Sequence, residues 1–277
     1  MMIKLSAIQL NSKADVKHNL QVIEQKLVKL TSQNTLATYE QHIVVLPECC
    51  LFFGARDNAQ LSLAKESSAN NDLQVALGAL AKKYKVTLIA GSIPLLTAEG
   101  NKFTNSSCAF NSNGTLIGRY DKIHLFDVSV ADSEKTYCES RFTHAGSTPY
   151  IVKTPTVNIG LTICFDLRFP MLFQRLTAMG ADIITVPSAF TRVTGKAHWQ
   201  TLLQARAIEN QVYIIAAGQE GVHENGRETW GHSMIISPWG EILASIEEGE
   251  GIISSDFLPQ EIKRIRASMP LMHTAKT

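Results

Sequence analysis

Apolar and polar positions alternate in short blocks along this chain, and the blocks occur twice. The first half presents Ile3–Leu10, Val44–Pro47, Leu88–Gly91 and a hairpin over Cys108–Ile117. The second half presents Val157–Ile163, Ile184–Pro187, Ile214–Gly218 and a hairpin over Met234–Leu243, in the same order and at similar spacing. Each hairpin carries a glycine where a tight turn needs a positive φ, and Asn113-Gly114 is a strong signal of that kind. Between the echoed strands the period changes. Lys17–Leu30 places Leu20, Ile23, Leu27 and Leu30 on one helical face. Leu73–Tyr84, Pro170–Met179 and His198–Asn210 follow suit, the second of these with Pro near its start and Gly180 after its end. The pattern predicts an α/β chain of two pseudo-symmetric halves: two sheets packed face to face, with helices outside.

Length and composition narrow the class. The 277 residues suffice for a substantial core. No linker rich in Pro, Gly or Ser divides the halves, so one domain over residues 1–268 is expected, followed by a short C-terminal arm, 269–277. The net charge of +1 and the lack of a Lys/Arg run argue against a nucleic-acid partner. No apolar run approaches the roughly 20 residues of a membrane span, and the opening segment alternates like a strand rather than a signal peptide. The five cysteines are odd in number, two are adjacent, and none forms a CxxC pair, which fits free thiols in a reducing cytoplasm. The glycosylation-like Asn105-Ser-Ser107 and Asn113-Gly-Thr115 are then chance matches.

The chemistry lies at strand ends. Cys164 follows an apolar strand and precedes a helical pattern, a corner that thrusts a side chain outward and leaves the next backbone N–H, that of Phe165, to meet an oxyanion. Glu48 and Lys122 end two further β-like runs. Taken singly, each has a bland reading: a small core thiol, a solvated carboxylate, a surface charge. Together they have the composition of a covalent amide-cleaving site. Cys164 would be the nucleophile and Glu48 the base that takes its proton and returns it to the leaving group. Lys122, being charged, is better suited to stabilising the oxyanion than to acting as a base. Arg168, four residues after Cys164, is expected to share its helical face and grip a substrate carboxylate; pairing with Asp166 is the structural alternative.

Leu46-Pro-Glu48, Tyr120-Asp-Lys-Ile-His124, Cys138-Glu-Ser140, Cys164-Phe-Asp-Leu-Arg-Phe-Pro170, Pro187-Ser-Ala-Phe190, Ala197-His-Trp199, Ala205–Gln211 and Gly231-His-Ser-Met234 form an ordered set. On these segments the chain resembles the nitrilase superfamily of carbon–nitrogen hydrolases over nearly its whole length. It looks more like the amidases that hydrolyse deaminated glutathione than like the omega-amidases. The resemblance implies a four-layer αββα sandwich, a Glu48–Lys122–Cys164 catalytic set and a homodimer. It implies hydrolysis of a small carboxylate-bearing amide to a carboxylate and ammonia through a Cys thioester. It also implies that Glu139 is a further active-site glutamate, with a solvated loop carboxylate as the alternative, and that Thr194 lies in a loop used against substrate. Omega-amidase, nitrilase and N-carbamoyl hydrolase activities share the core; a catalytically silent assembly scaffold is the non-enzyme alternative. Two positions depart from the usual pattern, Met171 and Gln200, where acids are common, and Phe165 stands where Tyr is common.

Other chemistries find less support. The eight histidines are scattered without HExxH or paired Cys/His spacing, and no nucleotide-binding loop is evident, so neither metal nor other cofactor is expected. Gly231-His-Ser-Met234 begins like a serine-hydrolase elbow, but Ile235 stands where that turn needs glycine. His198 and Trp199 read as packing residues at a helix start.

Overall fold

The computed structural model describes residues 2–32, 39–56, 58–132 and 136–271. The doubled pattern is the architecture. In the first sheet Ile3–Gln9, Gln41–Val45 and Thr87–Ile89 run parallel, and Phe103–Phe110 and Leu116–Asp121 follow antiparallel. In the second, Asn158–Leu161, Ile183–Thr185 and Tyr213–Ala216 run parallel, then Ser233–Ile236 and Ile242–Ile246 antiparallel. Ile93–Leu96 and Tyr150–Lys153 add edge strands to the first and second sheets. The strand Gly251–Phe257 leaves the second half and pairs antiparallel with Ile3–Gln9 in the first sheet. The Asn113-Gly114 turn forms as its sequence demands: Asn111 N–H donates to Thr115 O at 3.0 Å, and Gly114 has φ 82°.

Period-two alternation assigns the layers. Ile3, Leu5, Ala7, Ile43 and Val45 point into the space between the sheets and join Ile159, Leu161 and Ile163 of the second. Ile8, Leu10, Val44 and Leu46 point the other way, against the helices α1 (Val16–Thr31) and α3 (Asp72–Tyr84). The intervening helix, α2 (Ala59–Ser67), buries only Ala64 and Ser67. On the opposite outer face α4 (Pro170–Ala178) and α5 (Arg192–Asn210) bury Leu172, Phe173, Leu176, Trp199 and Leu203. Leu176 rests on Gly160, whose missing side chain lets α4 approach the sheet: an added Cβ would meet Leu176 at 3.2 Å. The result is the expected helix–sheet–sheet–helix sandwich.

Helix α1 begins where Asp15 accepts from His18 N–H at 3.0 Å, and its Ile23, Leu27 and Leu30 are buried, close to expectation. The fourth expected helix starts six residues early, at Arg192 rather than His198. Thr191 caps it, and Gly195 in its first turns is required because the Trp230 ring occupies the space a side chain would need. Thr194 is therefore in a helical first turn, not a loop, and His198 and Trp199 lie well inside the helix. A sixth helix, α6 (Pro259–Ser268), went unread in the sequence; it buries Ile262 and Ile265. Of the expected arm, Met269 O accepts from Gln211 Nε2 at 2.7 Å, and residues 272–277 lie outside the described residues.

Candidate active site

Four chain segments converge at one end of the sandwich. Glu48 comes just after Gln41–Val45, where Gly91 (φ 50°) packs so tightly on Pro47 O that no side chain could replace its hydrogen. Lys122 follows Leu116–Asp121, and Glu139 opens a single 3₁₀ turn, Glu139–Arg141. Cys164 opens another, Cys164–Arg168, with φ 49° and its N–H bound to Pro187 O at 2.9 Å. A non-glycine residue held in the left-handed region at a cleft is a strained conformation of the sort that clusters at functional sites. Phe165 is second in that turn, where a helical N–H has no acceptor within its own helix.

The charges are buried and matched. Lys122 Nζ donates to Glu48 Oε1 at 2.8 Å and to Glu139 Oε2 at 2.9 Å. Asn105 Nδ2 donates to both carboxylates, at 2.9 Å and 3.2 Å. The Ala189 N–H reaches Glu48 Oε2 at 3.0 Å, and the Phe126 N–H reaches Glu139 Oε2 at 2.7 Å. Burial works against the Lys122 ammonium, but Glu139 and Glu48 outweigh it and hold its pKa well above the usual lysine range. Burial first, then the charge of Glu48, push the Cys164 thiol well above its ordinary value, with Lys122 pulling the other way. The thiol lies beside Glu48 and the Ala189 N–H, both of which bear on its pKa. At neutral pH the Cys164 sulfur thus rests as a thiol.

Another buried carboxylate braces this geometry. Asp166 is fully buried and accepts from Tyr120 O–H at 2.7 Å, Ile163 N–H at 2.9 Å and His124 N–H at 3.1 Å, with His124 Nδ1 at 2.7 Å. Its partners flank Lys122 on one side and Cys164 on the other. The structural alternative for Arg168, a pair with Asp166, does not occur. Arg168 Nη1 instead meets His198 Nδ1 at 3.2 Å, and the guanidinium lies 5.2 Å and 5.8 Å from the Phe190 and Phe165 ring centres. Burial lowers its pKa and the nearby Cys164 raises it, but an arginine stays charged. Arg168 reaches the cleft through a 3₁₀ turn rather than the α-helical four-residue spacing expected of it.

Glu48, Lys122, Glu139, Cys164, Phe165, Arg168 and Thr194 all line one cleft of about 1160 Å³ including its open mouth. Every expected site residue is therefore brought together. Sequence reasoning missed Asn105, the Ala189 N–H and the Asp166 clamp. Asn105 had been noticed only as a glycosylation-like motif; its burial at 5% exposure and its carboxylate contacts remove it from any surface role. Ser233, the decoy nucleophile, is fully buried inside a strand, hydrogen-bonded to Gln9 Oε1 at 2.8 Å.

A buried Glu–Lys–Glu cluster beside a strained cysteine, on a doubled αββα frame, defines the class. The chain belongs to the carbon–nitrogen hydrolase family, whose model matches residues 4–267. Among its relatives is a deaminated glutathione amidase of Yersinia enterocolitica, 41% identical over 97% of this chain and 91% of that one. A chloroplastic omega-amidase of Arabidopsis thaliana is 34% identical over 95% and 69% of the two chains. The crystal structure of Saccharomyces cerevisiae Nit3, a member of branch 10 of the nitrilase superfamily, superposes with a TM-score of 0.85 at 31% identity, covering 100% and 97%. No helix among the described residues is long and apolar enough to cross a membrane.

Proposed function

We propose that this chain is an amidase that hydrolyses deaminated glutathione through a Cys164 thioester. The observation that carries the reading is the contact of the Cys164 thiol with Glu48, which is itself tied to Lys122 and Asn105. Glu48 takes the thiol proton as sulfur attacks the amide carbonyl. The oxyanion that forms is stabilised by the Lys122 ammonium and the Phe165 N–H. The C–N bond breaks as Glu48 returns its proton to the departing amine. Glu48 then deprotonates a water that attacks the thioester, releasing the acid and restoring the thiol. Glu139 holds Lys122 in place with two oxygens. For a primary amide the amine leaves as ammonia; for deaminated glutathione it leaves as a dipeptide, so the expected ammonia product belongs to the omega-amidase alternative.

Arg168 beside the thiol suits a substrate carboxylate on the acyl side, and Thr194 lines the same wall. The five free cysteines, one of them the nucleophile, favour a reducing cytoplasm. Met171 at 66% exposure on α4, Ile208 at 49% on α5, and Trp239 at 50% on the turn packed against Ile208 favour a homodimer through that helical face.

The test is release of carboxylate and amine from deaminated glutathione, α-ketoglutaramate, simple nitriles and N-carbamoyl amino acids. Deaminated glutathione should turn over best, α-ketoglutaramate next, and nitriles far less. A higher kcat/KM for a simple nitrile than for either acidic amide overturns the assignment.

A further inference from the structure

Two loops at the cleft mouth are locked to each other without contributing to the cluster around Cys164. The first runs through Phe52–Arg56 and the second through His223–Glu228. Phe53 meets the His223 ring edge-on at 4.5 Å, and Asn225 Nδ2 donates to Ala55 O at 3.0 Å. Gly54, at φ 86°, lies so close that an added Cβ would stand 3.2 Å from both Glu224 N and His223 Cβ. His223 is itself buried and bonded to Thr229 Oγ1 at 2.7 Å. This packing fixes the backbone that carries Arg56 and Arg227 to the cleft lining. An irregular loop tied at so many points is a platform rather than a tether.

The charges lining the cleft can then be paired off. Glu48 and Glu139 share Lys122, and Glu228 pairs with Arg192 at 2.9 Å. Arg56 and Arg168 have no ion pair among the described residues, and Arg227 adds a third guanidinium, stacked 5.1 Å from the Tyr137 ring centre. Arg168 is half-buried beside the thiol, where an acyl-side carboxylate belongs, whereas Arg56 is exposed at the rim.

We infer that Arg56 forms a second carboxylate subsite, one that takes the terminal carboxylate on the amine side of the scissile bond in a peptide-like amide. The inference rests on the amidase reading above and gives it a source of discrimination. A short amide has no group for Arg56, which simply stays hydrated, so the site does not reject it. An amide extended by a peptide ending in a carboxylate gains one charge-assisted contact. Selectivity for the longer substrate is then a gain in its binding, not exclusion of the shorter one. Because Arg56 is exposed, that gain is modest, about five- to tenfold in KM.

The experiment compares deaminated glutathione with the same compound bearing a C-terminal carboxamide, in wild type, Arg56→Gln and Arg56→Lys. Each variant is scored by the ratio of its two kcat/KM values, which does not depend on how much enzyme is folded. The wild-type ratio should be about five to ten, fall towards one in Arg56→Gln, and be partly kept in Arg56→Lys, with the change in KM. A wild-type ratio near one, or a ratio unchanged in Arg56→Gln, overturns this inference and leaves the amidase reading standing. Wild-type enzyme inactive on both compounds overturns the amidase reading and the inference with it.

Discussion

Replacing Asp166 by Asn conserves shape and tests what holds Lys122 and Cys164 in register. Oδ2 accepts from Ile163 N–H and Tyr120 O–H, and Oδ1 accepts from His124 N–H. An Asn side chain offers one oxygen and one NH₂. In either orientation the NH₂ faces a backbone N–H, Ile163's or His124's, and neither donor can turn away. The phenol of Tyr120 cannot relieve the clash by ionising, since burial, which the substitution leaves in place, pushes its pKa up. One buried donor left without an acceptor costs about 1–3 kcal/mol, and losing the carboxylate's charged hydrogen bonds costs about 1.5–3 kcal/mol more. The variant should lose roughly 3–5 kcal/mol in urea unfolding monitored by circular dichroism. Its kcat, measured below the transition on folded protein, should fall on the order of 100-fold, because the displaced donors flank the ammonium and the thiol. Tyr120→Phe, which removes one donor and leaves the backbone contacts, should cost nearer 1 kcal/mol. A stability loss below about 1 kcal/mol in Asp166→Asn together with kcat within twofold of wild type would refute the clamp.

Four further outcomes are expected. Cys164→Ala abolishes turnover with an unchanged circular dichroism spectrum, and Cys164→Ser is severely impaired because a hydroxyl is harder to ionise; most of the activity surviving in the Ala variant would sink the thioester mechanism. Arg168→Ala raises KM for acidic amides by the equivalent of about 2–5 kcal/mol while neutral amides lose less; equal losses on both would make Arg168 structural. Burial pushes His42 and His223 down to about 4, below the 6.5 of a free histidine, so the unfolded chain binds more protons between those values. Stability should therefore be fully present above pH 6.5 and fall as pH drops towards 4, by at most about 3 kcal/mol per histidine, with a shallower dependence in His42→Asn. Ile208→Asp should convert a dimer to a monomer in light scattering at micromolar concentration, and a wild type already monomeric there would refute the dimer.

What the sequence disclosed was mostly local. The echo of strands was legible because period two and its turn glycines are written within ten residues, and α1 because its buried face repeats every three or four. Glu48, Lys122 and Cys164 could be read because each ends a strand of its own. The contacts that join them could not. Asp166 reaches residues 42 and 46 positions away, and Asn105 lies 57 positions from Glu48, distances at which no periodicity operates. The first turns of α5 were obscured by a different cause: Val193-Thr194-Gly195 disfavours a helix locally, and only the Trp230 ring against Gly195 explains the glycine there. Helix α2 buries too little to leave a pattern at all.

The return of Gly251–Phe257 to lie beside Ile3–Gln9 has a consequence for how the molecule comes into being. The register joins Ile3 to Phe257 and Gln9 to Gly251, so the strand made first acquires its second neighbour last. On a ribosome, the first sheet keeps one edge open through nearly the whole of synthesis, and an open edge invites pairing with other chains. Closure across so long a loop makes for slow, topology-limited folding. Glu48 and Lys122 are made in one half and Cys164 in the other, so the Cys164 thiol emerges before its sheet has a finished partner to dock on. Cys164 meets Glu48 and Lys122 only once the two halves have come together, and that last strand is the seam between them.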